Sequence, residues 1–245
     1  MTETVHLVTE DGVRLVGCRW RHREPRAVVV VVHGFGASSA EPDVVTLAEH
    51  LHDESFEVLT YDARGHGASE GECTLGDLER HDVDAAIAEV ARDRVPTVVV
   101  GASMGAIAAL HHGAEHPGTL AGLVVVSCPA RWTLPRNARG VLSALMTQTS
   151  IGRWAARRHL GVRIATRLHR PAPPVELVTR VGTRIAIVHG TDDPFIDVTA
   201  AAALHDAASE PRRLTIVEGM GHALPPEAIA PIRRAVEWVL EGTPA

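Results

Sequence analysis

A serine stands between glycines at Gly101-Ala102-Ser103-Met104-Gly105. The residues before it, Thr97-Val98-Val99-Val100, are mostly β-branched; those after it, Ala106-Ile107-Ala108-Ala109-Leu110, are Ala-rich. This pattern places Ser103 on a turn from a strand into a helix. So tight a turn leaves no room for side chains two residues to either side, and Gly101 and Gly105 meet that demand. The hydroxyl is a candidate nucleophile, because the free N–H groups and positive dipole end of the helix start favour a developing anion.

A serine hydroxyl is weakly nucleophilic at its own pKa and needs a general base. Of the fifteen histidines, His222 is the candidate, in Glu218-Gly219-Met220-Gly221-His222-Ala223 between the last predicted strand and the last predicted helix. In an open α/β sheet the C-terminal strand ends form the functional edge, so Ser103 and His222 are expected on one rim. A carboxylate must orient the histidine and stabilise its charged form. His189-Gly190-Thr191-Asp192-Asp193-Pro194 offers two, Asp192 and Asp193.

The elements that must position these groups follow from periodicity. Strands are predicted at residues 27–32, 56–61, 97–101, 120–126, 184–188 and 213–217, with a hairpin of 5–9 and 14–20 turning at Asp11-Gly12. Helices are predicted at 42–52, 74–92, 104–116, 199–208 and 226–241. Thr74 is placed to cap the second helix, with Asp77 three residues on. Alternation of this kind describes a doubly wound, mostly parallel α/β sheet. Residues 129–177 break it with prolines at both ends and a mixed apolar and Arg interior, and read as a small helical insertion rather than a domain.

Two further motifs complete the set: His33-Gly34-Phe35-Gly36 after the first parallel strand, and Asp62-Ala63-Arg64-Gly65-His66-Gly67-Ala68-Ser69 after the next. In their order, and in the chain order of serine, acid and histidine, the motifs resemble the α/β-hydrolase superfamily over residues 13–240, in its esterase and monoacylglycerol-lipase-like branch. The resemblance implies the α/β-hydrolase fold, with a core of residues 1–128 and 178–245 and a short helical cap at 129–177. It implies Asp193 as the triad acid, three residues after the glycine of the His-Gly turn, and leaves Asp192 to stabilise that turn. It implies an oxyanion hole made by the backbone N–H groups of Phe35 and Met104. His33, Asp62, Arg64 and His66 are read as structural. The implied reaction, hydrolysis of a carboxylic ester through an acyl-enzyme on Ser103, uses no cofactor and no metal. The same triad serves a thioesterase acting on acyl-CoA or carrier-bound acyl chains, an aminopeptidase or a perhydrolase, and the fold also hosts non-catalytic ligand-binding modules.

The chain has 245 residues, 45% of them hydrophobic, enough for one sizeable core. No apolar run reaches the roughly 20 residues that cross a bilayer, and residues 1–9 lack the basic start and apolar stretch of a signal peptide. Cys18, Cys73 and Cys128 are scattered without metal-type spacing. A cytoplasmic protein with reduced thiols and no integral membrane association is expected. The net charge is −6, and every cationic side chain apart from histidine is Arg. Nothing in this balance points to nucleic acid. Residues 129–175 carry nine Arg and no acid. That stretch reads as a solvated basic face that offsets acidic surface elsewhere, or else as a surface for an acyl carrier, the phosphates of coenzyme A or an anionic membrane.

Overall fold

Runs of valine dictate the centre of the sheet. The computed structural model describes residues 2–91, 95–132 and 138–241. Strand β3 (Val28–Val32) is five valines, all buried, and pairs in parallel with β4 (Glu57–Tyr61) and β5 (Thr97–Ala102). On the other side of β5 follow β6 (Gly122–Val126), β7 (Ile185–Gly190) and β8 (Arg212–Val217), all parallel. A hairpin, β1 (Thr2–Val8) and β2 (Arg14–Trp20), joins antiparallel at the β4 edge. The order is β1-β2-β4-β3-β5-β6-β7-β8.

Because side chains alternate across a strand, each central strand feeds two cores. Val29, Val31, Val98, Val100, Val124 and Val126 pack beneath α1 (Pro42–Asp53) and α8 (Pro226–Leu240). Val28, Val30, Val32, Val99, Leu123 and Val125 pack beneath α2 (Glu79–Val90), α3 (Met104–Glu115) and α7 (Thr199–Ala207). Each fully buried valine contributes about 1.5–3 kcal/mol of apolar transfer. The expected doubly wound, mostly parallel α/β sheet is thus observed. Between β6 and β7 lie α4 (Ala138–Gln148), α5 (Ser150–His159) and α6 (Pro174–Leu177). Residues 133–137 of this basic stretch, Arg136 among them, and residue 92 of the predicted second helix lie outside the described residues.

Two local predictions are corrected. Helix α2 begins at Glu79, not at Thr74. The Glu79 carboxylate accepts from the N–H of Thr74, the hydroxyl of Thr74 and the N–H of Gly76, so it folds residues 74–78 into a loop ahead of the helix. Asp77 instead pairs with Arg80. The first hairpin turns through three residues rather than two. The Gly12 N–H donates to the Thr9 carbonyl at 2.9 Å with Gly12 at φ +82°, a left-handed position that suits glycine. Asp11 is drawn into this turn by the hydroxyl of Thr9 and the guanidinium of Arg64.

Candidate active site

Ser103 sits between β5 and α3 with φ +52° and ψ −112°. Its N–H donates to the Val126 carbonyl at 2.9 Å, which pins the turn to the neighbouring strand. The flanking glycines are a steric necessity. A Cβ on Gly101 would stand 2.6 Å from the Gly105 carbonyl oxygen, and one on Gly105 only 2.4 Å from that of Val32. A Cβ on Gly34 would meet the Ser103 Cβ at 3.3 Å, so the loop after β3 runs directly beside the serine.

Ser103, His222 and Asp193 come together from three separate loops. His222 Nε2 lies 3.0 Å from Ser103 Oγ, and His222 Nδ1 lies 2.7 Å from Asp193 Oδ2. A carboxylate can only accept, so Nδ1 carries the proton and Nε2 is free to accept from the serine hydroxyl. Asp193 Oδ1 accepts from the N–H groups of Phe195 and Ile196 at 2.9 and 3.0 Å. Its side chain is 1% exposed. Burial raises its pKa, but the bond from His222 and those from the backbone outweigh burial and hold the carboxyl below its ordinary value. Asp192 is exposed, bonds to Thr191 and does not reach His222.

The histidines of the loops after β3 and β4 hydrogen-bond within those loops. His33 Nδ1 donates to the Gly34 carbonyl and its Nε2 accepts from the Ala63 N–H. His66 Nε2 accepts from the Gly36 N–H. Burial, reinforced for His33 by the neighbouring His66, pushes both rings down, His33 to about 4. Asp62 accepts from Ser39 and Ala68. Arg64 is clamped by Asp82 and Asp11.

Two residues at the site were not singled out in the sequence. The Phe195 ring stands 5.0 Å from the His222 ring, tilted at 59° to it. His189, fully buried, donates through Nε2 to the Ile196 carbonyl and lies 3.5 Å from Asp193 Oδ2. The available signal for His189 was a polar residue inside an otherwise apolar strand. Beside them opens a cavity of about 830 Å³ lined by Asp193, Phe195, Leu75, Trp132, Leu168 and Arg170, among others; Arg131 also lines it, while Ser103 and His222 do not.

The insertion is held to the core along part of its length and open along another. Cys73 and Ile164 form a parallel bridge, and Arg163 reaches the carbonyls of Gly71 and Ser69. One of the nine arginines is therefore an anchor. On α4 and α5 several large apolar side chains face out: Ile151 is 79% exposed and Trp154 65%, with Leu142 and Leu145 also exposed. Among the described residues no helix is long and apolar enough to cross a membrane.

Known proteins align with this arrangement. The chain is 34% identical over 128 residues to the human monoglyceride lipase, a match covering 50% of this chain and 42% of that protein. It spans about half the length of the monoglyceride lipases it matches. An esterase of Pyrococcus furiosus superposes with TM-score 0.76 at 20% identity, covering 97% of this chain and 92% of the other. An esterase of a Rhodococcus species does so with TM-score 0.68 at 21% identity, covering 97% and 98%. A family model described as "Serine aminopeptidase, S33" matches residues 23–171, more than half of the chain, and the protein belongs to that family of hydrolases on the α/β-hydrolase fold.

Proposed function

We propose that the protein is a serine esterase that cleaves a carboxylic ester through an acyl-enzyme on Ser103. The observation that carries this reading is the hydrogen-bonded chain from Asp193 through His222 to a serine held in a left-handed turn. His222 Nε2 takes the hydroxyl proton as Ser103 Oγ attacks the carbonyl carbon. The tetrahedral oxyanion sits against the N–H groups of Phe35 and Met104; the latter opens α3 and has no partner within the helix. Collapse expels the alcohol with the proton from His222. Water, deprotonated by His222, then releases the acid and restores the serine. No step calls on a cofactor.

Residues 129–177 act as the cap in this reading. The cavity is of small-molecule size and has an apolar wall in Leu75, Trp132 and Leu168 for an acyl chain. The outward apolar side chains of α4 and α5, set among Arg153, Arg157 and Arg158, suit an anionic lipid surface that holds such esters. Three free thiols accord with a reducing, cytoplasmic setting.

A second reading is a thioesterase on acyl-CoA or carrier-bound chains, favoured by Arg131 and Arg170 on the cavity wall. The same two cations work against an aminopeptidase, which must hold a substrate ammonium. One purified sample tested on p-nitrophenyl esters, acyl-CoA thioesters and aminoacyl p-nitroanilides separates the three. The ester is expected to give the highest kcat/KM. Ser103→Ala is expected to lose at least about 10⁴-fold activity and all labelling by a fluorophosphonate. Retained hydrolysis in Ser103→Ala would overturn the mechanism, and a folded wild type that never labels would indicate a binding module.

A further inference from the structure

A second group of chemically capable side chains lies at the far end of α3. Its 12 residues span about 18 Å, so this cluster is remote from Ser103 at the other end. His112 in the last turn and His116 just past it are four residues apart and project from one side. Asp84 of α2 faces them. Asp84 Oδ1 lies 2.6 Å from His112 Nδ1 and 3.9 Å from His116 Nε2. One ligating atom from each of the three falls within 4.8 Å of the others. His81, one turn before Asp84, brings Nδ1 to 4.0 Å from Asp84 Oδ2 and 3.8 Å from Glu10. That nitrogen is buried and has no hydrogen-bond partner.

His112 Nε2 lies 3.3 Å from the Thr119 hydroxyl, which itself donates to the His116 carbonyl at 2.7 Å.

We propose that Asp84, His112 and His116 bind one Zn²⁺ or similar divalent first-row ion. Ligands about 2.0–2.2 Å from a tetrahedral ion stand roughly 3.4 Å apart, which these side chains reach by small rotations. Thr119 supplies the outer bond that orients a ligating imidazole. The three ligands come from α2 and from the end of α3, so the ion joins α2 to the far end of the helix that presents Ser103.

The test uses the untagged full-length chain, stripped with chelator and titrated with ZnCl₂ by calorimetry and with Co²⁺ by visible absorption. One equivalent is expected, with the d–d bands of tetrahedral Co²⁺ and a Tm rise of about 5 °C or more at about 100-fold excess over Kd. His116 is half-exposed, so His116→Ala should fold normally. It is expected to weaken binding at least about 10-fold and to lose the Co²⁺ bands, as is Asp84→Asn. Ser103→Ala should bind the ion as wild type does. Absence of binding up to about 1 mM, or undiminished affinity in His116→Ala, overturns the proposal.

Discussion

Ser103 holds a backbone conformation that costs a non-glycine residue about 1–3 kcal/mol, and the surrounding bonds sustain it. The histidines around it differ by their surroundings rather than by type. His222 is partly exposed and bonded to a carboxylate, which suits a base; His33 is buried and braces a loop. His33 yields a pH prediction. Burial and the adjacent His66 lower its pKa from 6.5 to about 4. Between those values the unfolded chain takes up a proton that the folded one refuses. Its contribution is therefore whole above about pH 6.5 and is lost as pH falls toward 4. The full difference is about 3 kcal/mol. Urea unfolding at pH 7.5 and pH 5 should show wild type losing about 2 kcal/mol more than His33→Gln. Equal losses would mean that His33 is not held neutral.

At the scale of elements, the β5–α3 turn depends on backbone contact. Gly105 touches the carbonyls of Val32 and His33, so α3 packs on β3 without a side chain between them. Gly105→Ala should force strand and helix apart and cost about 3 kcal/mol, at the upper end of overpacking penalties. The loss would appear as a lower urea midpoint at unchanged m value. A midpoint like that of wild type would show that the turn tolerates a Cβ. The loop of residues 74–78 shows a different rule. Local spacing made Thr74 a helix cap, but Glu79, 1% exposed, spends its carboxylate on three donors of that loop and moves the start of the helix.

At the scale of the whole molecule, the fold separates a buried centre from a basic, partly apolar insertion. The outward Ile151 and Trp154 add little to stability, since surface positions shift it by about 0.5 kcal/mol or less. Ile151→Ser with Trp154→Ser should leave Tm nearly unchanged and leave hydrolysis of a soluble short-chain ester intact. Activity on a long-chain ester presented in anionic vesicles should fall several-fold. Equal activity on both substrates would remove the lipid surface from the proposed function.

The sequence by itself determined the sheet and the two helical layers, and it pointed to Ser103 and His222. Each rests on a local demand that few residue types satisfy: valine alternation for a strand buried on both faces, glycines around Ser103, histidine after the last strand. It named Asp192 and Asp193 together, and only the resemblance separated them before the distances did. What the tertiary structure decided lies between residues far apart in the chain. Phe195 against His222, His189 beneath Asp193, Arg163 on the turn near Ser69, and Asp84 against His112 leave no periodic or turn-forming trace. Such pairings arise when packing brings surfaces together, and a short stretch of sequence carries no record of what will stand opposite it.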